Sequence, residues 1–297
     1  MSDKEQKAIE RIQLASKLSL QKYGQPLICT YSGGKDSDVL LELFKRSGVP
    51  FEVHNSHTTV DAPETVYHIR KVFKDCEDQG IKAEIIMPKY RGESITMWKL
   101  IPLKKFPPTR LQRYCCHVLK ETDGKNRMIA TGVRWAESVK RKQRNEFEVI
   151  GNSKDRISIS HEIILANDND EKRKFIESCE LKAKTVCNPI IDWSDKEIWE
   201  YFYCECKRHN PLYERGYNRV GCIGCPLAGK HRYKEFRDYP QYERAYKRAF
   251  KKMLELYKVK HKKSEWQDEE DVFRWWMEDK TVKGQLTLDD IMKGENK

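Results

Sequence analysis

The chain has 297 residues, of which 38% are hydrophobic and 35% charged, and it carries a net charge of +11 with a pI near 9.0. This length suits one large domain or one domain with a smaller appendage, and a mean hydropathy of -0.82 is typical of a soluble protein. No apolar run approaches the roughly 20 residues of a membrane-spanning helix, and the polar start of the chain does not resemble a secretory signal. We therefore expect a cytoplasmic protein without a membrane partner.

The first two thirds of the chain alternate short apolar segments with helical patterns. Residues 6–23 carry apolar side chains at helical spacing, and residues 26–31 predict a buried strand that ends in a glycine turn. The following elements are predicted in turn: a helix around residues 39–44 capped by Gly48, strands at 51–55, 82–87, 127–132 and 161–165, and a helix from Asp61 and Pro63 toward Gly80. Strands alternating with helices predict an α/β fold with a doubly wound parallel sheet, which binds ligands beyond the carboxyl ends of its strands.

Beyond about residue 190 the pattern becomes helical. Ser194 and Glu197 form a capping box, and residues 232–260 and 264–280 predict basic, aromatic-rich helices, the second opening with a box of Ser264 and Gln267. We therefore divide the chain into an α/β domain at 1–190 and a helical C-terminal region at 191–297.

The glycine turn after the first strand reads SGGKDS at residues 32–37. Its two glycines lack a Cβ and let the backbone approach phosphate oxygens, and the helix that follows offers free N–H groups and the positive end of its dipole. The two serines supply hydroxyl donors, and Lys35 supplies a mobile positive charge. The spacing differs from the Walker loop, GxxxxGK[ST]. The turn predicts a phosphate-binding loop of another type, with an ordinary strand–turn–helix connection as the alternative.

Four of the ten cysteines form two tight pairs, Cys115 with Cys116 and Cys222 with Cys225. Clustered cysteines in a reducing compartment indicate metal or redox chemistry rather than disulfides. Four thiolates suit a structural zinc ion or a [4Fe–4S] cluster. Because the side chains of adjacent cysteines diverge, they reach separate irons of a cube more easily than two corners of one zinc tetrahedron. The pattern favours the cluster over zinc, and over no metal.

These motifs together resemble the phosphoadenosine-phosphosulfate (PAPS) reductase family and the related N-type ATP pyrophosphatases. The SGGKDS turn is similar to their pyrophosphate loop, the PP-loop. Three later segments also resemble the family. Residues 58–65 resemble its segment that ends in Pro-Glu-Thr, and residues 131–138 resemble its Gly-hydrophobic-Arg segment. Residues 188–195 resemble its Asn-Pro-hydrophobic-Asp-Trp stretch. The paired cysteines resemble the [4Fe–4S] site of the adenosine-phosphosulfate (APS) reductases. In order, the matches span about residues 26 to 228.

The resemblance implies an adenine nucleotide α-hydrolase-like fold with a metal-bearing helical C-terminal part. It also implies that ATP, with Mg²⁺, is cleaved between its α- and β-phosphates. The implied residues are catalytic Lys35 and Asp36; a nucleotide site of Ser32, Gly33, Gly34, Lys35, Asp36, Ser37, Asp61, Gly132 and Arg134; and cluster ligands Cys115, Cys116, Cys222 and Cys225.

Three of these residues have simpler alternative roles. Arg134 pairs with phosphate or stacks on a base, or else is a solvated surface arginine. Asp36 orients Mg²⁺ or caps the helix after the loop. Asp61 contacts the nucleotide or is only the cap of its helix.

Three functions follow, of which the first is favoured. An ATP-dependent sulfurtransferase adenylates an acceptor and inserts sulfur, as in relatives of DNA phosphorothioation and tRNA thiolation. An APS or PAPS reductase makes sulfite instead, but its usual C-terminal cysteine nucleophile has no counterpart after Cys225, and its loop tends to lose the lysine and second glycine that this chain keeps. A metal-stapled nucleic-acid-binding module without catalysis is the third.

The partners expected of the sulfurtransferase are ATP, a nucleic-acid acceptor (tRNA or DNA) and a sulfur donor such as a cysteine desulfurase. The charge of +11 suits a polyanionic acceptor, and a basic stretch at residues 140–144 follows the Gly-hydrophobic-Arg segment. A row of aromatic residues between Tyr233 and Tyr246 is interpreted as core rather than as a platform for bases.

Overall fold

The computed structural model describes residues 2–121, 123–124, 126–138, 141–150, 184–259 and 266–278. We number the elements in chain order within these residues. The helices are α1 (Asp3–Tyr23), α2 (Lys35–Ser47), α3 (Pro63–Glu77), α4 (Met97–Lys104), α5 (Tyr114–Leu119), α6 (Asp195–Glu205), α7 (His231–Asp238), α8 (Pro240–Val259) and α9 (Glu269–Met277). The strands are β1 (Leu27–Thr30), β2 (Phe51–Ser56), β3 (Ala83–Ile86), β4 (Lys89–Tyr90), β5 (Glu93–Ser94), β6 (Met128–Ala130), β7 (Phe147–Ile150) and β8 (Lys184–Cys187).

Six strands form one sheet in the order β3-β2-β1-β6-β8-β7. All neighbours are parallel except β7 and β8, which are antiparallel. From β1 the chain builds outward through β2 and β3, then returns to the other edge of β1 to form β6. The strand order therefore reverses between β1 and β6, and the segments that leave these two strands lie side by side at a point where such sheets bind ligands. The predicted doubly wound α/β fold is confirmed.

The helices around the sheet bury their apolar faces in one core. Helices α1 and α2 pack against each other and against β1, and α2 also packs against α6. Ile12, Leu27, Leu40, Phe44 and Phe202 are fully buried there. Each such side chain contributes about 1.5–3 kcal/mol by leaving water. This packing fixes the start of α2, and with it the loop that precedes it.

Most local predictions in the first two thirds of the chain are confirmed, with two exceptions. Helix α3 begins with Pro63 in its first turn, but its N-cap is Ala62, so the expectation that Asp61 caps this helix is wrong. Strands β4, β5, β7 and β8 and helices α4 and α5 have no counterpart among the predicted elements. The predicted strand at residues 161–165 lies outside the described residues.

By their contacts, the described residues fall into two compact units, each discontinuous in sequence. The first unit contains the six-stranded sheet with α1, α2, α3 and α6 and spans residues 1–57, 61–87 and 121–221. The second contains the β4–β5 hairpin and the remaining helices and spans residues 58–60, 88–120 and 222–297. The division at residue 190 stays a prediction about domains.

The C-terminal part is helical, as expected. The capping box of Ser194 and Glu197 is present, with the Glu197 amide donating to Ser194 Oγ at 3.3 Å. The second predicted box is wrong in position: α9 begins at Glu269 with Asp268 as its N-cap, whereas Ser264 lies outside the described residues. Within the described part of the chain, no helix is both long and apolar enough to cross a membrane.

The aromatic row of the second unit is mainly core. Phe236, Tyr239 and Tyr246 are 4%, 4% and 1% exposed, and Tyr246 lies 4.7 Å from Trp276 between ring centroids. Tyr233 is the exposed member of the row. The interpretation as core is therefore correct for the buried three.

Gly224 lies at the tightest point of this aromatic core. Its φ of +74° is in the left-handed region, and a Cβ built on it would lie 2.6 Å from Phe236 Cζ and 3.0 Å from the Trp276 ring. We predict that Gly224→Ala lowers the free energy of unfolding by about 2–4 kcal/mol, because backbone strain adds to overpacking. Urea unfolding followed by tryptophan fluorescence measures this. The matched control is Gly221→Ala, where a Cβ meets nothing within 4 Å; equal stability of the two variants would contradict the prediction.

Candidate active site

The loop at residues 32–37 connects β1 to α2 at the reversal of the sheet. Gly33 has a φ of +74°, and a Cβ there would lie 2.9 Å from Ile69 Cγ1 on α3. Gly34 is the N-cap of α2, so the helix begins at Lys35. The loop therefore needs glycine at position 33 for two independent reasons, backbone conformation and contact with α3.

Several hydrogen bonds hold the loop in shape. Ser37 Oγ accepts from the Gly34 amide at 3.1 Å and donates to the Gly34 carbonyl at 2.7 Å. Ser32 Oγ lies 3.3 Å from Ser37 Oγ. The two serines that were expected to donate to phosphate thus also brace the loop itself.

Two further residues also hold the loop through hydrogen bonds. Both lie in the segment that follows α6, and sequence reasoning missed them. Asn210, fully buried, donates from Nδ2 to the Gly33 carbonyl at 2.8 Å. Tyr213 accepts from the Lys35 amide at 2.7 Å through its hydroxyl. Both lie in a segment without helical or strand periodicity, so no sequence signal marks them.

The charged side chains at the start of α2 pair with one another and with neighbouring segments. Lys35 Nζ lies 2.9 Å from Asp36 Oδ2, and Arg134 Nε donates to Asp36 Oδ1 at 2.6 Å. The other side of the Arg134 guanidinium donates to Asp195 Oδ1 at 2.7 Å and to the Trp193 carbonyl at 3.2 Å. Two cations and two carboxylates balance one another in this arrangement.

Arg134 is 1% exposed, so the alternative of a solvated surface arginine is wrong. Its polar contacts go to carboxylates and a carbonyl, and its predicted contact with phosphate or a base stays a prediction. Both carboxylate oxygens of Asp36 are paired with cations. A Mg²⁺ ion bound to Asp36 would therefore have to replace Lys35 or share a carboxylate oxygen with one of these cations.

Gly132 brings the segment after β6 against the first turn of α2. A Cβ at this position would lie 3.2 Å from the Asp36 carbonyl oxygen. A side chain here would push the two segments apart and stretch the pair between Asp36 and Arg134. Asp61, by contrast, lies two residues before α3, and its role toward a nucleotide stays a prediction.

A buried polar network lies next to the loop and was also missed. The Tyr31 hydroxyl donates to Asp38 Oδ1 and lies 2.9 Å from His68 Nε2, which is itself 3.2 Å from Asp38 Oδ1. All three are at most 6% exposed. Burial raises the pKa of the Asp38 carboxyl above its ordinary value. This network ties β1, α2 and α3 together on either side of the loop.

Cationic side chains gather around the loop as well. Arg141 lies in a short 3₁₀ turn and pairs with Glu137. Burial, and then the neighbouring Arg219, lower the pKa of the Arg141 guanidinium, while Asp36 acts in the opposite direction. Lys140, the first residue of the predicted basic stretch, lies outside the described residues.

The four paired cysteines all belong to the second unit. Cys115 and Cys116 lie on α5, and Cys222 and Cys225 flank a turn. A hydrogen bond to Cys116 raises the pKa of Cys115, and burial and the sulfurs of the other pair raise it further. The same bond lowers the pKa of Cys116 to about 5, opposed by burial and helped by Arg113, whose Nη2 lies 3.4 Å from the Cys116 sulfur. The fold therefore brings the two pairs near one another.

Three hydrogen bonds hold the turn between Cys222 and Cys225. The Gly224 amide donates to Glu235 Oε2 at 2.7 Å, the Tyr246 hydroxyl donates to the Ile223 carbonyl at 2.9 Å, and the Ile223 amide donates to the Val60 carbonyl at 2.8 Å. Such a turn presents two sulfurs at fixed positions.

The cysteines do not, however, form a finished coordination sphere. Within the described residues, no three His, Cys, Asp or Glu side chains converge closely enough to hold a metal ion. Four thiols on a rigid turn and a short helix fit the donor set of a [4Fe–4S] cluster, and also that of zinc. The cluster and its ligands stay predictions.

Residues 26–228 match the family of the phosphoadenosine phosphosulfate reductase domain. An uncharacterised protein of Methanocaldococcus jannaschii is 24% identical over 273 residues, which cover 87% of this chain and 48% of that protein. The chain thus spans about half the length of this relative. An adenosine 5'-phosphosulfate reductase of Geobacillus kaustophilus is 25% identical over 219 residues, covering 69% of this chain and 74% of that enzyme.

Solved structures give weaker likenesses. A phosphoadenylyl-sulfate reductase from Candida auris aligns with 14% identity and a TM-score of 0.45, covering 72% of this chain and 87% of that chain. The U34-tRNA thiolase NcsA from Methanococcus maripaludis, solved with its [4Fe–4S] cluster, aligns with 14% identity and a TM-score of 0.37, covering 86% and 82%. Neither score supports an argument about function. The match over residues 26–228, which contain the loop, Arg134 and all four paired cysteines, shows that the chain belongs to the phosphoadenosine phosphosulfate reductase family.

Proposed function

We propose that this chain is a cytoplasmic sulfurtransferase of the ATP-pyrophosphatase type, which adenylates a nucleic-acid acceptor and then inserts sulfur. The observation that carries the proposal is the complete ATP-type loop, with Gly33, Gly34 and Lys35 in place at the start of α2. An ammonium group beside the helix N-terminus suits the negative charge that develops on departing pyrophosphate.

The reaction has two steps. An acceptor oxygen attacks the α-phosphorus of ATP, the bond from that phosphorus to the bridging oxygen breaks, and pyrophosphate leaves with Mg²⁺. A sulfide sulfur then attacks the acceptor atom that carries the adenylate, and AMP leaves with the original oxygen. A donor such as a cysteine desulfurase carries the sulfur as a persulfide. Two equivalents of a thiol reductant release it as hydrosulfide and are themselves oxidised to a disulfide, so that the acceptor is neither oxidised nor reduced.

The loop's own groups stabilise the departing pyrophosphate. Lys35 exchanges Asp36 for a phosphate oxygen, and its ammonium neutralises the charge that develops as the Pα–O bond breaks. Asp36 is then free on one oxygen to orient Mg²⁺, while Arg134 retains the other. The buried guanidinium thus keeps the carboxylate in place when its second partner changes.

The cysteine set would hold the cluster. Cys115, Cys116, Cys222 and Cys225 supply four thiolate ligands, and Gly224 and Glu235 keep the second pair in its turn. A bound [4Fe–4S] cluster supplies iron that can bind sulfur or order the site. The Arg113 guanidinium, whose Nη2 lies 3.4 Å from the Cys116 sulfur, favours the thiolate that a metal requires.

The charge distribution supports a nucleic-acid acceptor. The chain carries a net charge of +11, and Arg144 and Arg219 each lie near enough to Arg141 to repel it. Arg219 is exposed. Clustered guanidinium groups of this kind are stabilised by a phosphate backbone.

An APS reductase is the second candidate, favoured by the likeness to the Geobacillus enzyme. It predicts sulfite from APS or PAPS with a thiol donor, without ATP. Formation of sulfite under these conditions would replace the proposal above. ATP binding without turnover on any acceptor would instead favour a metal-stapled binding module.

We predict that Lys35→Ala lowers the rate of acceptor-dependent pyrophosphate release about 100-fold, because one fixed positive charge at the departing group is lost. An enzyme-coupled pyrophosphate assay with ATP, Mg²⁺ and tRNA or DNA measures the rate. The matched control is Lys45→Ala, in the last turn of the same helix and about 15 Å away along its axis. Loss of activity in both variants, or in neither, would contradict the role given to Lys35.

We predict that anaerobically purified protein is brown and contains about four iron atoms per chain, and that Cys222→Ser and Cys115→Ser lose most of this iron. Cys204→Ser, at an exposed cysteine outside the set, retains it. Iron analysis and the visible absorption spectrum give the result. Colourless protein that contains zinc but no iron would refute the cluster.

A further inference from the structure

Helix α6 carries an aromatic pair beside the lysine of the loop. Trp199 and Tyr203 are one helical turn apart and stacked, with ring centroids 5.5 Å apart and an interplanar angle of 16°. The Lys35 ammonium lies 5.3 Å from the centre of the Trp199 ring. The Trp199 ring of this pair therefore lies next to Lys35, the residue that contacts phosphate in the proposed reaction.

The inner member of the pair is firmly held. The Trp199 ring meets the Tyr213 ring edge-on at 5.1 Å and the Phe202 ring at 5.7 Å. Tyr213 is the same side chain that accepts from the Lys35 amide. The position of the Trp199 ring is thus coupled to the loop through two contacts.

The outer member is largely open. Tyr203 is 58% exposed, although the ring packs against Trp199 and meets His209 edge-on at 5.4 Å. A planar ring that is oriented by its neighbours and still exposed can extend a stack by one more planar group without a rearrangement. Such preorganisation reduces the entropy lost on binding.

We propose that Tyr203 and Trp199 form a stacking platform for an unpaired nucleobase of the acceptor strand, a site that rests on the function proposed above. Stacking of a base on an aromatic side chain contributes about 1–3 kcal/mol and tolerates any base, since each has a π face. The platform fixes one base of the strand while the atom to be modified reaches the α-phosphate at the loop.

The charges near the loop suit the backbone of the same strand. Arg141 lies near Asp36 and Arg219, and Arg219 is exposed and has no ion pair with a carboxylate among the residues that the structure describes. An aromatic platform beside cations is the combination that binds single strands. A peptide with acidic side chains would meet the cations but would leave the open face of Tyr203 without a planar partner.

The test measures binding without turnover, using the anaerobically purified 297-residue chain. Fluorescence anisotropy gives the affinity for labelled single-stranded RNA and DNA of about ten nucleotides, and for an abasic strand of the same length. Tyr203→Ala should weaken binding of the strands with bases about tenfold and leave binding of the abasic strand unchanged. Tyr203→Phe should retain the wild-type affinity, because the ring remains.

Tyr67→Ala is the matched control, since Tyr67 is 61% exposed and lies on α3 of the same unit. It should change neither affinity. The ATP affinity of Tyr203→Ala is measured in parallel, and a loss there with unchanged strand binding would assign the platform to the adenine of ATP and overturn the proposal. An equal loss on the abasic strand, or no binding of any strand by the wild-type protein, would overturn it as well.

Failure of the proposed function has a different signature. If Tyr203→Ala loses strand affinity as expected but no acceptor stimulates pyrophosphate release, the platform stands and the sulfurtransferase reaction is wrong. If acceptors stimulate release equally in the wild-type protein and Tyr203→Ala at limiting strand concentration, the reaction stands and the platform is wrong.

Discussion

The ion pair between Asp36 and Arg134 is the contact on which the arrangement of the loop depends. Arg134 is buried to 1% exposure, so its charge requires compensation from carboxylates that are close and fixed. Asp36 comes from the first turn of α2 and Asp195 from the first turn of α6. One guanidinium on the segment after β6 therefore joins three parts of the chain, and loss of the Asp36 carboxylate would leave a buried charge without its nearest partner.

In the proposed reaction, this constraint keeps the loop in shape while Lys35 changes partners. Lys35 has two temporary partners, the Asp36 carboxylate at 2.9 Å and the face of Trp199. The proposed reaction exchanges these contacts for a phosphate oxygen while the pair between Asp36 and Arg134 stays in place. The site then needs little reorganisation when the substrate arrives, which is the condition for effective electrostatic stabilisation of a departing group.

The sequence predicted the elements whose signals are local and missed those that depend on distant partners. The strand, glycine loop and helix from β1 to α2 follow from apolar runs and glycines within a few residues, as does the capping box of Ser194. Strand β8 has only four residues and is defined by pairing with β6 and β7. Asn210 and Tyr213 reach the loop from 177 and 178 residues away. The burial of Arg134 likewise depends on how the sheet and helices meet, which no local pattern encodes.

The central claim is that the loop directs cleavage of ATP between its α- and β-phosphates for transfer to an acceptor. Phosphorus NMR of the anaerobically purified protein with ATP, Mg²⁺, a tRNA or DNA acceptor and a sulfur donor identifies the products directly. With an acceptor and a sulfur donor present, AMP and pyrophosphate are expected in equal amounts, and without an acceptor neither product is expected. Release of ADP and phosphate, or cleavage that is independent of any acceptor, would contradict the claim.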